Sequence, residues 1–256
     1  MIVRVDDLAH CGALEWDATW RIAMLVDSPY QSMCGRGERG AYTIKMSRQK
    51  CNWPMRIGDL ISYAEADDRN VLLVLSQEEE QTVRQRYQGH AHNDRFLRED
   101  EPKVLIHSTT YENWKQIERD GCLKSWNRVK QENKTDEEKP IGHVLGDPED
   151  FRDYIMFGSG VSCEMVVSSK QKGRLTGDAD EAYLSGARLY FDAQKISEDG
   201  LLVRDGNHIK VKDCLPLQPY LLWAATWEKV GLPAQRTTPC IFAEAADQMF
   251  EMEQHR

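Results

Sequence analysis

Lys103 to Leu123 reads KVLIHSTTYENWKQIERDGCL, and its punctuation decides the fold around it. Val104-Leu105-Ile106 is an apolar run of the length of a buried strand. His107-Ser108-Thr109-Thr110 follows as a polar turn. Trp114, Ile117 and the Lys115/Arg119 pair then recur at helical spacing, and Asp120-Gly121 is the stop signal. The layout is strand, turn, helix. It places His107 at a strand end beside a helix N-terminus, where backbone N–H groups and the helix dipole favour a phosphate or another anion.

Working outward, composition narrows the classes. The chain has 256 residues and a net charge of −9, enough for one large domain or two modest ones, with no global basic field to recruit nucleic acid. Any RNA contact must use a local basic patch, and no DNA partner is expected. The seven cysteines (Cys11, Cys34, Cys51, Cys122, Cys163, Cys214 and Cys240) stand singly, without C-x-x-C spacing, so no metal site is expected. An odd cysteine count and no leader-like segment read as reduced thiols in an intracellular protein, cytoplasmic or nuclear. Apolar runs such as Val71 to Leu75 are too short for a bilayer, so no membrane partner is expected.

Upstream of the quoted stretch, residues 1–42 form an N-terminal extension or the start of a first lobe. In them Trp16, Trp20, Ile22, Ala23 and Leu25 fit one face of a helix ended by Ser28-Pro29. Cys34 to Gly40 is a glycine-rich loop without the Gly-Lys-Ser/Thr ending of a phosphate loop, so it reads as a connector or as a source of Arg36 or Arg39 for a phosphate. Residues 43–98 carry a helix-spaced set around Gly58-Asp59, a Val71–Leu75 core run, and Ser76 as N-cap of an acidic first turn. Arg84, Arg86 and Gly89-His90 then read as a basic strand. This compact unit fits a winged-helix-like lobe. Arg95 to Pro102 is the linker.

Downstream, the charged segment between Val129 and Pro140 is an exposed loop. His143-Val144-Leu145 is a short strand candidate. Tyr154–Phe157, a glycine turn and Cys163–Val167 read as strand, turn, strand. Arg188–Asp192 is a strand, Ala193–Gly200 a short helix, and Leu201–Val203 with His208–Val211 a hairpin about Asp205-Gly206-Asn207. The second lobe, residues 103–230, is therefore α+β with short, mostly antiparallel strands, followed by a helical tail over 231–256.

The order of these features resembles the RNA 2′-phosphotransferase family over about residues 43 to 227. The resemblance rests on His107-Ser108-Thr109, Trp114, Ile117, Gly121-Cys122-Leu123 and Arg128. It continues through Leu189–Asp192, Ala193–Gly200, Leu201–Val203, Asp205–Val211 and Leu215–Tyr220, and upstream through Asp59-Leu60-Ile61 with Arg84, Arg86 and Gln88-Gly89-His90. His-Ser-Thr stands where the family has His-Gly-Thr. Glu78-Glu79-Glu80 stands in place of a basic element, and the family's Arg-His pair has no counterpart. The family's Ser-Gly-x-Arg aligns either with Ser159-Gly160, losing the arginine, or with Ser185-Gly186-Ala187-Arg188, keeping it.

What the resemblance implies is an ADP-ribosyltransferase-like second lobe with NAD as co-substrate and a 2′-phosphorylated RNA as partner, in tRNA splicing for the family itself. The RNA 2′-phosphate attacks the nicotinamide-bearing ribose carbon of NAD and expels nicotinamide. The neighbouring ribose hydroxyl then releases repaired RNA and ADP-ribose cyclic phosphate. His107, Ser108 and Thr109 are the expected NAD contacts, with His107 donating to a ribose hydroxyl. Arg128 and Arg188 are expected to clamp the phosphate with His107 in the catalytic set, and Arg84, Arg86 and His90 to hold RNA. Losing one such donor typically costs ~3 kcal/mol of barrier. Alternatives are an ADP-ribosyltransferase acting on RNA or protein, and a catalytically inactive RNA- or nucleotide-binding homologue. Glu112 and Glu164, the acids such a protein-directed transferase would offer, read as solvated glutamates.

Overall fold

In a computed structural model, residues 1–10, 15–29, 32–135 and 139–255 are described. Cys11 and positions 136–138 of the charged loop lie outside them. The chain is a mixed α and β protein with small antiparallel sheets, divided into two compact units. The first comprises 1–94, 146–148 and 203–209; the second comprises 95–145, 149–202 and 210–256.

The first unit contains β1 (Ile2–Val5), β2 (Arg21–Val26), β3 (Ser32–Arg36), β4 (Tyr42–Ser47), α1 (Trp53–Ala66), β5 (Val71–Val74) and α2 (Gln77–Arg86). Its strands form one sheet in the order β1-β5-β2-β4-β3. The β1–β5, β5–β2 and β2–β4 pairs are parallel, and β4–β3 is antiparallel. Parallel strands need a long crossover, and α1 carries the chain from β4 past β2 to β5. Trp16, Trp20, Ile22, Ala41 and Leu72 pack with Val3, Val5, Leu8 and Val74 into its core.

This arrangement replaces the winged-helix-like lobe expected for 43–98. Parallel strands covered on both faces read as unbroken apolar runs, so Arg21–Val26 carries no alternation to separate it from a buried helix. The helix read across Trp16–Leu25 is in fact the approach to β2 and β2 itself. Nor is there a basic strand: Arg84 and Arg86 lie on α2 and His90 in the turn behind it. Ser76 caps α2 with a full capping box, its side chain accepting from Glu79 N while the Glu79 carboxylate accepts from Ser76 N.

The second unit opens with β6 (Val104–Thr109), α3 (Tyr111–Asp120), β7 (Cys122–Lys124), α4 (Trp126–Gln131), α5 (Ile141–Leu145), β8 (Tyr154–Met156) and α6 (Ser162–Lys172). Next come β9 (Ala187–Asp192), α7 (Ala193–Glu198), β11 (Ile209–Lys212), β12 (Cys214–Pro216), β13 (Leu221–Thr226) and α8 (Pro239–Gln254), while β10 (Leu202–Arg204) falls mainly in the 203–209 segment of the first unit. Its strands form the short sheets β13-β9-β6 and β12-β7, and β11 pairs antiparallel with β8 through Lys210–Lys212. Thr110 caps α3 by accepting from Asn113 N, and Gly121 ends it at φ 69°. Tyr190, Ala225 and Ala246 form a core with Ile106, Trp223 and Phe250.

Two expected strands are helical here. Ile141–Leu145 is α5, and Cys163–Val167 lies within α6, whose buried face (Cys163, Glu164, Val167, Ser168) follows the helical rather than the alternating period. Among the described residues no helix is long and apolar enough to cross a membrane.

Candidate functional site

Strand β6 presents the three residues of the His-Ser-Thr motif, and each meets a different environment. In the antiparallel register with β9, His107 lies opposite Leu189 and Ser108 opposite Arg188. Successive residues of a strand face opposite ways, so His107 and Ser108 point to different sides.

On the His107 side, the imidazole Nδ1 lies 3.0 Å from the carbonyl oxygen of Met156, at the end of β8, and the ring packs edge-on against Phe157. A carbonyl can only accept, so Nδ1 carries the proton and Nε2 holds a lone pair. Burial pulls the His107 pKa below its ordinary value. Met156 opposes this, and Lys170 adds to the lowering. The ring is therefore neutral at pH 7, and Nε2 has no hydrogen-bond partner among the described residues. The expected direction is therefore reversed at the ring itself: Nε2 is left able to accept a hydrogen bond and not to donate one.

On the Ser108 side lies a buried polar network. Ser108 Oγ donates to Glu164 Oε1, and Tyr183 Oη donates to Glu164 Oε2 at 2.8 Å. Glu164 is fully buried, which overturns its reading as a solvated glutamate. Burial raises its pKa, and the Ser108 and Tyr183 hydroxyls and the Arg188 charge only partly counter this. Sequence gave no sign of it, since its partners stand 56 and 19 positions away.

Arg188 belongs to this network and not to an open phosphate site. Its guanidinium is fully buried and sits 3.6 Å from Glu164. Nε and Nη2 donate to the two carboxylate oxygens of Asp247 at 2.9 and 3.1 Å, and Nη1 donates to the Gly160 carbonyl at 3.1 Å. That bidentate pairing ties α8 to the sheet. Arg188 thus reaches the first Ser-Gly stretch at the Gly160 carbonyl, while Gly186 of the second packs against the backbone at the end of β6. A Cβ on Gly186 would stand 1.9 Å from the Thr109 carbonyl oxygen, so the buried Thr109 is held by close backbone approach.

The other expected residues are elsewhere. Arg128 lies on α4, 45 % exposed, with Nε donating to Glu132 at 2.7 Å and Nη1 3.7 Å from Asp213, and it makes no contact with His107, Ser108 or Arg188. Arg84 pairs with Glu80 one turn back on the exposed face of α2, Arg86 is exposed, and His90 Nδ1 lies 2.9 Å from Asp94. The three belong to the first unit, and the His-Ser-Thr motif to the second. So Ser108 and Arg188 are brought together around Glu164, His107 stands on the opposite face of the same strand, and Arg128 is apart. Among the described residues no group of three or more His, Cys, Asp or Glu side chains is placed to hold a metal. Comparison with family models, with curated proteins and with solved structures finds no match for this chain.

Proposed function

We propose that the second unit is an NAD-binding lobe of the ADP-ribosyltransferase type, acting as an NAD-dependent RNA 2′-phosphotransferase. His107 is the residue that carries the reading. A neutral imidazole, fixed through Nδ1 and open at Nε2, is suited to take the proton of a ribose hydroxyl as that hydroxyl attacks phosphorus. Ser108 and Thr109 shape the strand end on which it stands. Arg84, Arg86 and His90 of the first unit would hold the RNA backbone through phosphate contacts, which position a substrate without reading its sequence.

A second reading, a nucleotide-binding homologue without turnover, is favoured by the engagement of both transfer arginines. Arg188 is buried against Asp247, and Arg128 is paired with Glu132. With each missing donor worth ~3 kcal/mol of barrier, two would remove most of the rate.

The deciding experiment incubates the protein with NAD and a short 2′-phosphorylated RNA and follows both by mass spectrometry, with NAD binding measured separately by calorimetry. Nicotinamide release with ADP-ribose cyclic phosphate supports the first reading. A stably modified RNA or protein points to ADP-ribosyl transfer instead. Binding without nicotinamide release supports the second reading, and absence of binding sinks both.

A further inference from the structure

The first unit contains a second constellation of reactive side chains, none of which the NAD reading uses. Cys34 is an exposed residue on β3, the edge strand of the five-stranded sheet. The turn 205–208 of the same unit presents Asp205, Asn207 and His208 to it. Asp205 is buried, and its Oδ1 accepts from the backbone N–H of Asn207 and of His208, at 2.9 and 2.7 Å. Its other oxygen lies 3.4 Å from His208 Nδ1. The carboxylate therefore sets both the turn and the imidazole ring.

The far side of the ring faces sulfur. Asn207 Nδ2 donates to Cys34 Sγ at 3.2 Å, and the His208 side chain hydrogen-bonds the same sulfur. The amide is not free to turn over. Arg56 Nη2 donates to Asn207 Oδ1 at 2.9 Å and Arg56 Nε to the Gly206 carbonyl at 2.8 Å, so the –NH₂ end must face Cys34. Gly206, at φ 87°, comes so close to α1 that a Cβ would stand 2.5 Å from the Arg56 carbonyl oxygen, which fixes the turn against the helix. Nucleophile, base and a third group orienting the base is the arrangement that activates a thiol.

We propose that Cys34 is a nucleophilic thiolate site that reacts with small disulfides, with His208 as its acid–base partner and Asp205 and Asn207 as positioning residues. In the reaction the Cys34 sulfur attacks one sulfur of R–S–S–R. A Cys34–S–S–R bond forms, the original S–S bond breaks, and its electron pair leaves on RS⁻, which takes the proton held by His208. Cys34 is oxidised and the departing sulfur reduced, and no further oxidant is needed. The exposed edge position makes a bound pocket unnecessary for so small a partner.

The charges around the pair agree with this role. Neighbouring atoms desolvate the Cys34 thiol and would raise it, but the hydrogen bond and charge of His208, with help from Tyr42 on β4, bring it below its ordinary value, while Asp147 opposes them. His208 loses solvation as well, yet Asp205 and Cys34 raise it to about 9. Cys51, also exposed and lying in the turn before α1, is an internal standard.

The test exposes the intact protein to glutathione disulfide at about pH 6 and about pH 8.5 and maps adducts on each cysteine by mass spectrometry. Modification of Cys34 is expected to outrun that of Cys51 by on the order of tenfold at the lower pH, with the ratio shrinking at the higher. His208→Gln is expected to bring Cys34 down to the Cys51 rate. A wild-type Cys34 rate no greater than that of Cys51 at the lower pH overturns the proposal without any variant having to fold. Fast Cys34 modification that survives His208→Gln in a folded protein overturns the role of His208.

Discussion

Arg188 and Asp247 meet edge to edge, Nε to Oδ1 at 2.9 Å and Nη2 to Oδ2 at 3.1 Å, with the arginine wholly buried and the aspartate 42 % exposed. The pair joins β9 to α8 across 59 positions of sequence. Tyr190 adds its hydroxyl to the same carboxylate at 2.7 Å and stacks its ring on Phe250 at 4.2 Å. Removing one partner of a buried pair leaves an uncompensated charge. Arg188→Met leaves the buried Glu164 without its cation and is expected to lower stability by about 3–5 kcal/mol, read by urea denaturation, whereas Asp247→Ala is expected to cost less because Asp247 is 42 % exposed and its removal lets water reach the guanidinium.

Glu164 supplies a contrast. It holds Ser108 and Tyr183 and stands near Arg188, but burial makes its charged form costly and raises its pKa. For a carboxyl raised by folding, stability falls as pH climbs from its ordinary range toward the folded value. Glu164→Gln is expected to change stability by under about 1 kcal/mol and to flatten that dependence, while Glu164→Ala leaves two hydroxyls unsatisfied at a cost of about 3 kcal/mol. Thermal melts between acid and neutral pH separate the two.

Acid should weaken the network at the end of α3. Lys124 and Lys134 hydrogen-bond Asp120 and hold it at about 2, and Lys124 with Arg128 and Lys134 brings Glu132 to about 2. Both carboxylates are depressed on folding, so the stability they add is present above their ordinary values of about 3.9 and 4.3 and is lost as pH falls through about 2. Asp120→Asn should reduce the acid sensitivity of the melting temperature. Molar salt should mimic it in part, since the groups are near the surface.

Gly186 is required by a single contact. Gly186→Ala places a methyl 1.9 Å from the Thr109 carbonyl oxygen, and backbone on both sides must move. A loss of about 1–3 kcal/mol is expected, with a shifted amide resonance at Thr110 as the local signature.

The His107 assignment has its own test. Loss of a positioned acid–base group costs about 10²–10⁴ in rate, so His107→Ala should reduce nicotinamide release from NAD by at least about a hundredfold when assayed well below the variant's own melting temperature. Full turnover by the variant would remove His107 from the reaction even where the activity is real.

By itself the sequence determined the local frame: the strand run Val104–Ile106, α3 and its Gly121 stop, Ser76 as the cap of α2, and the turn at Asp205-Gly206-Asn207, although His107 to Thr109, which it read as a turn, continue β6. Each of these is decided within about four residues by hydrogen bonds the chain makes with itself, and so is written in neighbouring letters. Only the tertiary structure decided what was buried and with whom. Arg21–Val26 became a strand because parallel partners waited on both sides, and Cys163–Val167 became helix because one helical face could be covered. Arg188 went to Asp247, Glu164 to Ser108 and Tyr183, and Cys34 to a turn 173 positions further on. A charged or nucleophilic side chain takes its character from the dielectric and the partners that folding brings to it, and those partners come from far along the chain.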